Sequence, residues 1–233
     1  MQKNKGMMKL GLALVMGSMM WAPVSSQAAF GGLTRGGQSE SGTAVDVDTL
    51  VDEQKVLMGK LHSAMSEILQ AQSLTLEAQG FREQAAATKA VAGNYASGNV
   101  SGADAVKRDI QMTRENQELI EKGVSESEAL SSEGLKTLTS ALPHYVEGTR
   151  QSGQLGEAFQ AWTASSQSAV SGSLRSNPMK ARKLKGALSE ATAVLSSLPD
   201  LISAWSGTTR SFIGYGRSNN VDVSDVEARL GDL

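Results

Sequence analysis

Along residues 178–215 the apolar side chains fall at Leu184, Leu188, Ala191, Leu195, Leu198, Ile202, Trp205 and Phe212, with Thr209 in the same series. The steps alternate between four and three. That rhythm lays one stripe along a helix, and the stripe must be buried against other helices. Asn177 can cap the free backbone N–H groups at the start, and Pro178 fits the first helical position because its missing donor had no partner there.

The same rhythm organises the rest of the chain. Over 46–92, Val47, Leu50, Leu57, Leu61, Ala64, Ile68 and Ala71 keep the register, and Val51, Met58, Met65 and Leu69 widen the stripe to what a bundle helix needs. Thr49 and Asp52 have capping-box spacing at its start, and Gly93-Asn94 is a suitable stop. A second helix is predicted over 101–141 from Val106, Ile110, Ile120, Val124 and Leu138. Its stripe also carries Thr113, Gln117, Ser127, Ser131 and Gly134, layers that bury little apolar area and make this half the less stable one.

At Pro143 the stripe continues through Tyr145, Thr149, Ser152, Gly156 and Phe159, but proline removes a helical hydrogen bond and clashes with the preceding turn. The reading therefore ends one helix at 141 and starts another over 143–172. The words TSALPHYV and LSSLPDLI place Pro143 and Pro199 in similar surroundings. After a turn at Ser218-Asn219-Asn220, Val223, Val226 and Leu230 outline a short amphipathic helix in the 217–233 tail, with Ser224 and Glu227 in capping-box spacing.

These elements predict an all-α fold, an elongated antiparallel up-down bundle of about four long helices over 46–216. Composition agrees. Aromatic residues make up only 4%, which leaves a core of Leu, Val, Ile and small side chains and favours close helix packing over a sheet sandwich.

The first residues change the picture from fold to compartment. Lys3, Lys5 and Lys9 form a basic segment, 10–24 is mostly apolar, and Ser26-Gln27-Ala28 supplies the small residues of a cleavage site. Residues 1–28 are read as a signal peptide, and the Gly-rich 29–45 as a flexible lead-in. The expected location is periplasmic or secreted. The chain has no cysteine, so an exported form carries neither disulfides nor a lipidated thiol. Losing the three lysines moves the formal charge from −2 to about −5, which argues against nucleic acid as a partner.

Candidate chemistry is sparse. His62 shares a helical face with Met58 and Met65, an arrangement that suits copper(I) in principle but reads as core padding beside a histidine. His144 follows Pro143 at a polar bend. No serine-hydrolase elbow, zinc-protease motif or phosphate loop occurs, so no catalytic residue, metal site or cofactor is assigned, and no motif names a family. The feature that stands out is the basic cluster Arg175, Lys180, Arg182, Lys183 and Lys185. Cations at a helix N-terminus oppose its dipole. In an antiparallel bundle they are expected to sit beside the C-terminal end of the first helix, near Glu77, Glu83, Asp104 and Asp109, or else to face an anionic partner or membrane. Ile213 and Tyr215 fall off the stripe and are expected to form an exposed apolar contact.

The leading expectation is an exported, non-enzymatic protein of the bacterial cell envelope that acts through protein–protein interaction, as a scaffold, chaperone-like factor or accessory subunit of an envelope or secretion assembly. The alternative is a membrane-active amphipathic protein that binds anionic lipid surfaces, and the third is an enzyme with an unrecognised site. Thin core layers also leave apolar stripe that a homo-oligomer would share.

Overall fold

The computed structural model describes residues 46–126, 130–231 and 233, and at 173–176 the backbone alone. The export signal and lead-in expected over 1–45 lie outside the described residues. Among the described residues the fold is all-helical, with no strand. Its helices are α1 (Val47–Ala78), α2 (Arg82–Ala96), α3 (Ala103–Glu126), α4 (Ser132–Ser152), α5 (Leu155–Ser176), α6 (Pro178–Leu195), α7 (Leu198–Ser218) and α8 (Ser224–Leu230).

The first long segment is divided. Asp46, and not Thr49, caps α1, its side chain accepting from the Asp48 N–H at 3.5 Å. The helix ends where Gly80 takes φ +89° and Phe81 N–H reaches back to the Leu76 carbonyl at 2.9 Å. Such a left-handed residue is open to glycine at little cost, and it satisfies the last carbonyls of the helix. A single glycine inside an otherwise helical pattern gives little warning of this.

Chain direction follows from the contacts. Ser73 Oγ donates to the Ala85 carbonyl at 2.8 Å and Ser66 Oγ to that of Ala92 at 3.3 Å, so α2 runs against α1. Gln72 Nε2 donates to the Thr113 carbonyl at 2.9 Å and Gln79 Nε2 to that of Ile120 at 3.2 Å, so α3 runs with α1. Tyr145 meets Thr75 at 3.2 Å and Trp162 Nε1 donates to the Leu50 carbonyl at 2.7 Å, which sends α4 and α5 back along the whole of α1. Lys180 and Thr208 meet Asp48 and Gln72 in turn, so α6 and α7 run with α1 again.

The limits predicted for the other long helices are corrected too: 143–172 is interrupted at 153–154, and 178–215 is not one helix but divides at 196–197 into α6 and α7. The 101–141 segment is not continuous: Ser131, read as an interior layer, caps α4 by accepting from the Gly134 N–H at 3.0 Å. Pro143 lies inside α4 and does not divide two helices. It sits on the exposed side, as does Thr139, whose carbonyl it leaves free, so water can satisfy that group. Leu138, Ala141 and Tyr145 stay buried on the other side. Pro199, in the similar word, does open a new helix as part of the first turn of α7. The residue after each proline differs as well. Asp200 places a negative charge at a helix N-terminus, where the dipole favours it, whereas His144 binds Glu67 of α1 at 2.7 Å and keeps α4 seated.

The core centres on the second half of α1, where Leu61, Ala64, Met65, Ile68, Leu69 and Ala71 are fully buried. Against it Tyr145 stacks between Trp205 and Phe212, with ring centroids 5.0 and 3.8 Å away. Gly148 makes room for this stack: a Cβ there would lie 3.0 Å from the Trp205 ring.

A buried polar network fixes the register of four helices. The Gln72 amide donates to the Thr113 carbonyl and to Thr208 Oγ1 at 3.1 Å, and accepts from Asn116 Nδ2 at 3.1 Å. Asn116 in turn exchanges hydrogen bonds with Thr88. An apolar residue in place of Gln72 strands these partners. Gln72→Leu is expected to lower the unfolding free energy by about 1–3 kcal/mol, read as a lower urea midpoint at unchanged slope. An unmoved midpoint would show that the network carries no net stability.

Candidate functional site

A groove lies along the outer side of α7. It begins at the α6–α7 corner, where Ser196 caps α6 and Pro199 starts the next helix. From there a groove of about 570 Å³ follows α7 toward Arg210. It is lined by Leu195, Leu198, Pro199 and Ile202, by Gly156 and Gln160 of α5, and by Leu230 and Leu233 near the end of the chain. Leu195 and Ile202 belong to the stripe that sequence assigns to the core, yet both are only half-buried. Ser203, Ser206 and the exposed Arg210 add polar positions along the groove. Ser203 is shared with a smaller polar hollow of about 300 Å³ on the α3 side. There Arg114 and Asp200 pair at 3.4 Å.

The basic cluster occupies the other end of α6, and its neighbours differ from those expected. Lys180 Nζ binds Asp48 at 2.7 Å and Asp46 at 3.3 Å, and Lys183 Nζ lies 3.6 Å from Asp48. These partners stand at the N-terminus of α1. Glu77, Glu83, Asp104 and Asp109 are not the counter-charges found. The extra reversal at Gly80 makes α6 parallel to α1, so both helices start at the same end. The Lys180 hydrogen bond holds the Asp48 carboxyl below its usual range, and Asp48 raises the Lys180 ammonium in return. Arg182 and Lys185 remain exposed on the outer side of α6, next to Met179, which is 77% exposed. The Arg175 side chain lies outside the described residues.

Ile213 and Tyr215 are not an exposed contact: both are buried, at 5% and 4% exposure. The packing of α7 differs from a one-stripe helix, since α3, α4 and α8 all lie against it. Residues off the stripe therefore meet a neighbour as well.

A third cluster joins four helices around His62. Its ring meets Tyr95 of α2 edge-on at 5.3 Å, and its Nε2 is buried without a hydrogen-bond partner among the described residues. Glu190 of α6, which accepts from Gln54 at 3.3 Å, acts on His62 from one side. Asp109 and Arg108 of α3 act on Tyr95 from the other. Burial lowers the His62 pKa, and Glu190 only partly opposes this. Burial raises both the Tyr95 phenol and the Asp109 carboxyl. Met58 and Met65 turn into the hydrophobic core. Among the described residues, no group of three or more His, Cys, Asp or Glu side chains is placed to hold a metal ion.

Comparison with protein families, curated proteins and solved structures gives no match for this chain. The site must be read from its own residues. Sequence reasoning missed the groove because Leu195 and Ile202 are indistinguishable by periodicity from buried neighbours. The local signals that bear on it are Pro199, which bends the stripe, and Arg210, a charge one residue past Thr209 on that stripe.

His62 gives a pH test. Its folded-state pKa lies below the ordinary value of 6.5, so the unfolded chain takes up a proton first as pH falls. The stability due to neutral His62 is present above pH 6.5 and is lost from there down to the lower folded pKa. Asp109 acts with the opposite sign and at more acidic pH, because its raised pKa makes the folded state take up a proton first. Urea midpoints of His62→Leu are expected to fall less between pH 7.5 and 5.5 than those of the parent. Parallel pH profiles would remove His62 as the cause.

Proposed function

We propose that this chain is an exported, non-enzymatic helical protein of the bacterial cell envelope that works by binding other proteins, as a scaffold, chaperone-like factor or accessory subunit of an envelope or secretion assembly. The groove along α7 carries the reading. Leu195 and Ile202 hold core positions of their helices but are not used up by the chain's own packing, and apolar surface left in a concave, partly polar setting is what a partner buries. Export rests on Lys3, Lys5 and Lys9, the apolar stretch over 10–24 and Ser26-Gln27-Ala28. In this reading residues 46–216 form an elongated up-down bundle built on α1, and a second copy of the chain is among the partners the groove could take.

The test is crosslinking of the full-length protein in its native envelope, followed by identification of what is captured. A defined envelope protein, recovered reproducibly and lost when Leu195 and Ile202 are both changed to Asn, is the expected result. Recovery of no protein by either form would remove the reading.

Met179, Arg182 and Lys185 favour a second reading, contact with an anionic lipid surface. No helix among the described residues is long and apolar enough to cross a membrane. Near an anionic leaflet each exposed cation contributes about 1 kcal/mol, so these two with one methionine give weak, salt-sensitive attachment. Sedimentation with phosphatidylglycerol vesicles is expected to be slight and to vanish at high salt. Binding that survives high salt and disappears in Arg182→Gln/Lys185→Gln would put the lipid reading first.

A further inference from the structure

We infer that α2 is a hinged flap on α1 that acid releases through protonation of His62, so that exposure of the α1 side beneath it depends on pH. The attachment of α2 is narrow. Among the described residues it packs only against α1 and α3, and its buried face consists of Ala85, Thr88, Ala92 and Tyr95, three small side chains and one large one. Ser73 and Ser66 of α1 donate to the Ala85 and Ala92 carbonyls, and Asn116 of α3 holds Thr88. Tyr95, 2% exposed, closes the far end against the His62 ring. On α1 the covered side runs through His62, Ser66, Leu69, Ser73 and Leu76, at three- and four-residue steps, and Leu76 clusters with Ala85.

Both ends of α2 can turn. Gly80 precedes it with φ +89°, and Gly98 and Gly102 follow it with φ +70° and +82°. Glycine passes between left- and right-handed backbone at little cost, so such positions absorb the dihedral changes of a hinge. The Gln72 network does not prevent the movement. It reaches α2 through Thr88, while the bonds of Gln72 to Thr113, Thr208 and Asn116 lie among α1, α3 and α7.

His62 supplies the trigger. Its Nε2 is buried with no hydrogen-bond partner among the described residues, and protonation makes that atom an N–H donor. A buried donor left unpaired is costly, whereas water satisfies it once α2 has moved away. Glu190 of α6, held by Gln54 of α1, attracts the protonated ring. Neither residue belongs to α2, so this attraction survives release. Burial lowers the His62 pKa in the closed position, so the open form takes up the proton first and gains as pH falls below 6.5. From α3, Asp109 and Arg108 act on Tyr95. The raised Asp109 pKa favours the closed position at more acidic pH, against the effect of His62.

A detached helix of 15 residues is marginal in water, so release is read as loss of amide protection along α2. The experiment follows hydrogen exchange of the full chain by NMR at pH 7.5 and 5.5, expressed as protection factors, which remove the chemical effect of pH on exchange. Amides of Ala85, Thr88, Ala92 and Tyr95 are expected to lose protection together at the lower pH, by up to roughly tenfold per pH unit, while those of Leu61, Met65 and Ile68 keep theirs. His62→Leu and His62→Gln should each remove the loss, whatever their effect at pH 7.5, and Asp109→Asn should retain it. Unchanged protection in the parent, equal loss along α1 and α2, or a loss that persists in both His62 variants would overturn the inference. So would disappearance of the loss in Asp109→Asn, which would assign the proton to α3.

Discussion

The burial of α1 is the constraint on which the other helices depend. Six helices, α2 to α7, lie against it, and its second half buries Gln72, Ser73 and Thr75 together with Leu61, Ala64, Met65, Ile68, Leu69, Ala71 and Leu76. A helix enclosed in this way cannot rely on hydrophobic contact alone to set its neighbours, because apolar surfaces slide over one another with little penalty. Gln72 removes that freedom. Its amide is bonded to α3 and α7 at once, and through Asn116 to α2, so a shift of one helix breaks bonds made by the others. Close to it the Tyr145, Trp205 and Phe212 stack plays a similar part by shape, with Trp205 Nε1 donating to Thr149 at 3.2 Å.

The ends of the helices follow from the same arrangement. Because α1 and α6 start together, two positive dipole ends and several lysines meet in one place. Asp46 and Asp48 answer both. They lie where the α1 dipole favours an anion, and they bind Lys180 and Lys183 across the gap. Such exposed pairs add little to stability. Their effect is to occupy two of the cations that would otherwise face outward, leaving Arg182, Lys185 and Met179 as the outward surface of this end. That division weakens the case for the basic cluster as a single docking site and shifts attention to α7.

On α7 one helix serves two purposes. Its inward side carries Trp205, Thr208, Thr209 and Phe212 into the core, while Ile202, Ser203 and Arg210 look onto the groove and the adjoining hollow. A binding surface built on such a helix is held rigid by the core behind it, which limits the ordering cost of association. The His62 junction lies elsewhere, on α1, α2, α3 and α6. Its buried, unpartnered nitrogen ties stability to pH without involving the groove.

Helical class was legible from the sequence because a three-four apolar rhythm has one physical solution, a stripe that must be buried. Val47, Leu61, Ile68, Leu138, Leu184, Trp205 and Phe212 were all identifiable as core on that ground, and all are buried. The cap at Asn177 was equally readable, since capping is a local interaction between neighbouring residues. What the tertiary structure decided was where helices break and which stripe residues remain open. Pro143 and Pro199 have similar neighbours but opposite outcomes: Pro143 lies within a continuous α4 whose His144 meets Glu67 of α1, and Pro199 lies in the first turn of α7 beside Asp200. Gly80 adds a reversal, and that one reversal moves the lysines of α6 from one end of α1 to the other. Ile213 and Tyr215 are buried by the packing of neighbouring helices, and Leu195 and Ile202 are left half-open because no helix among the described residues covers them fully. Periodicity states that a side chain needs a neighbour; only the packed chain determines whether one is there.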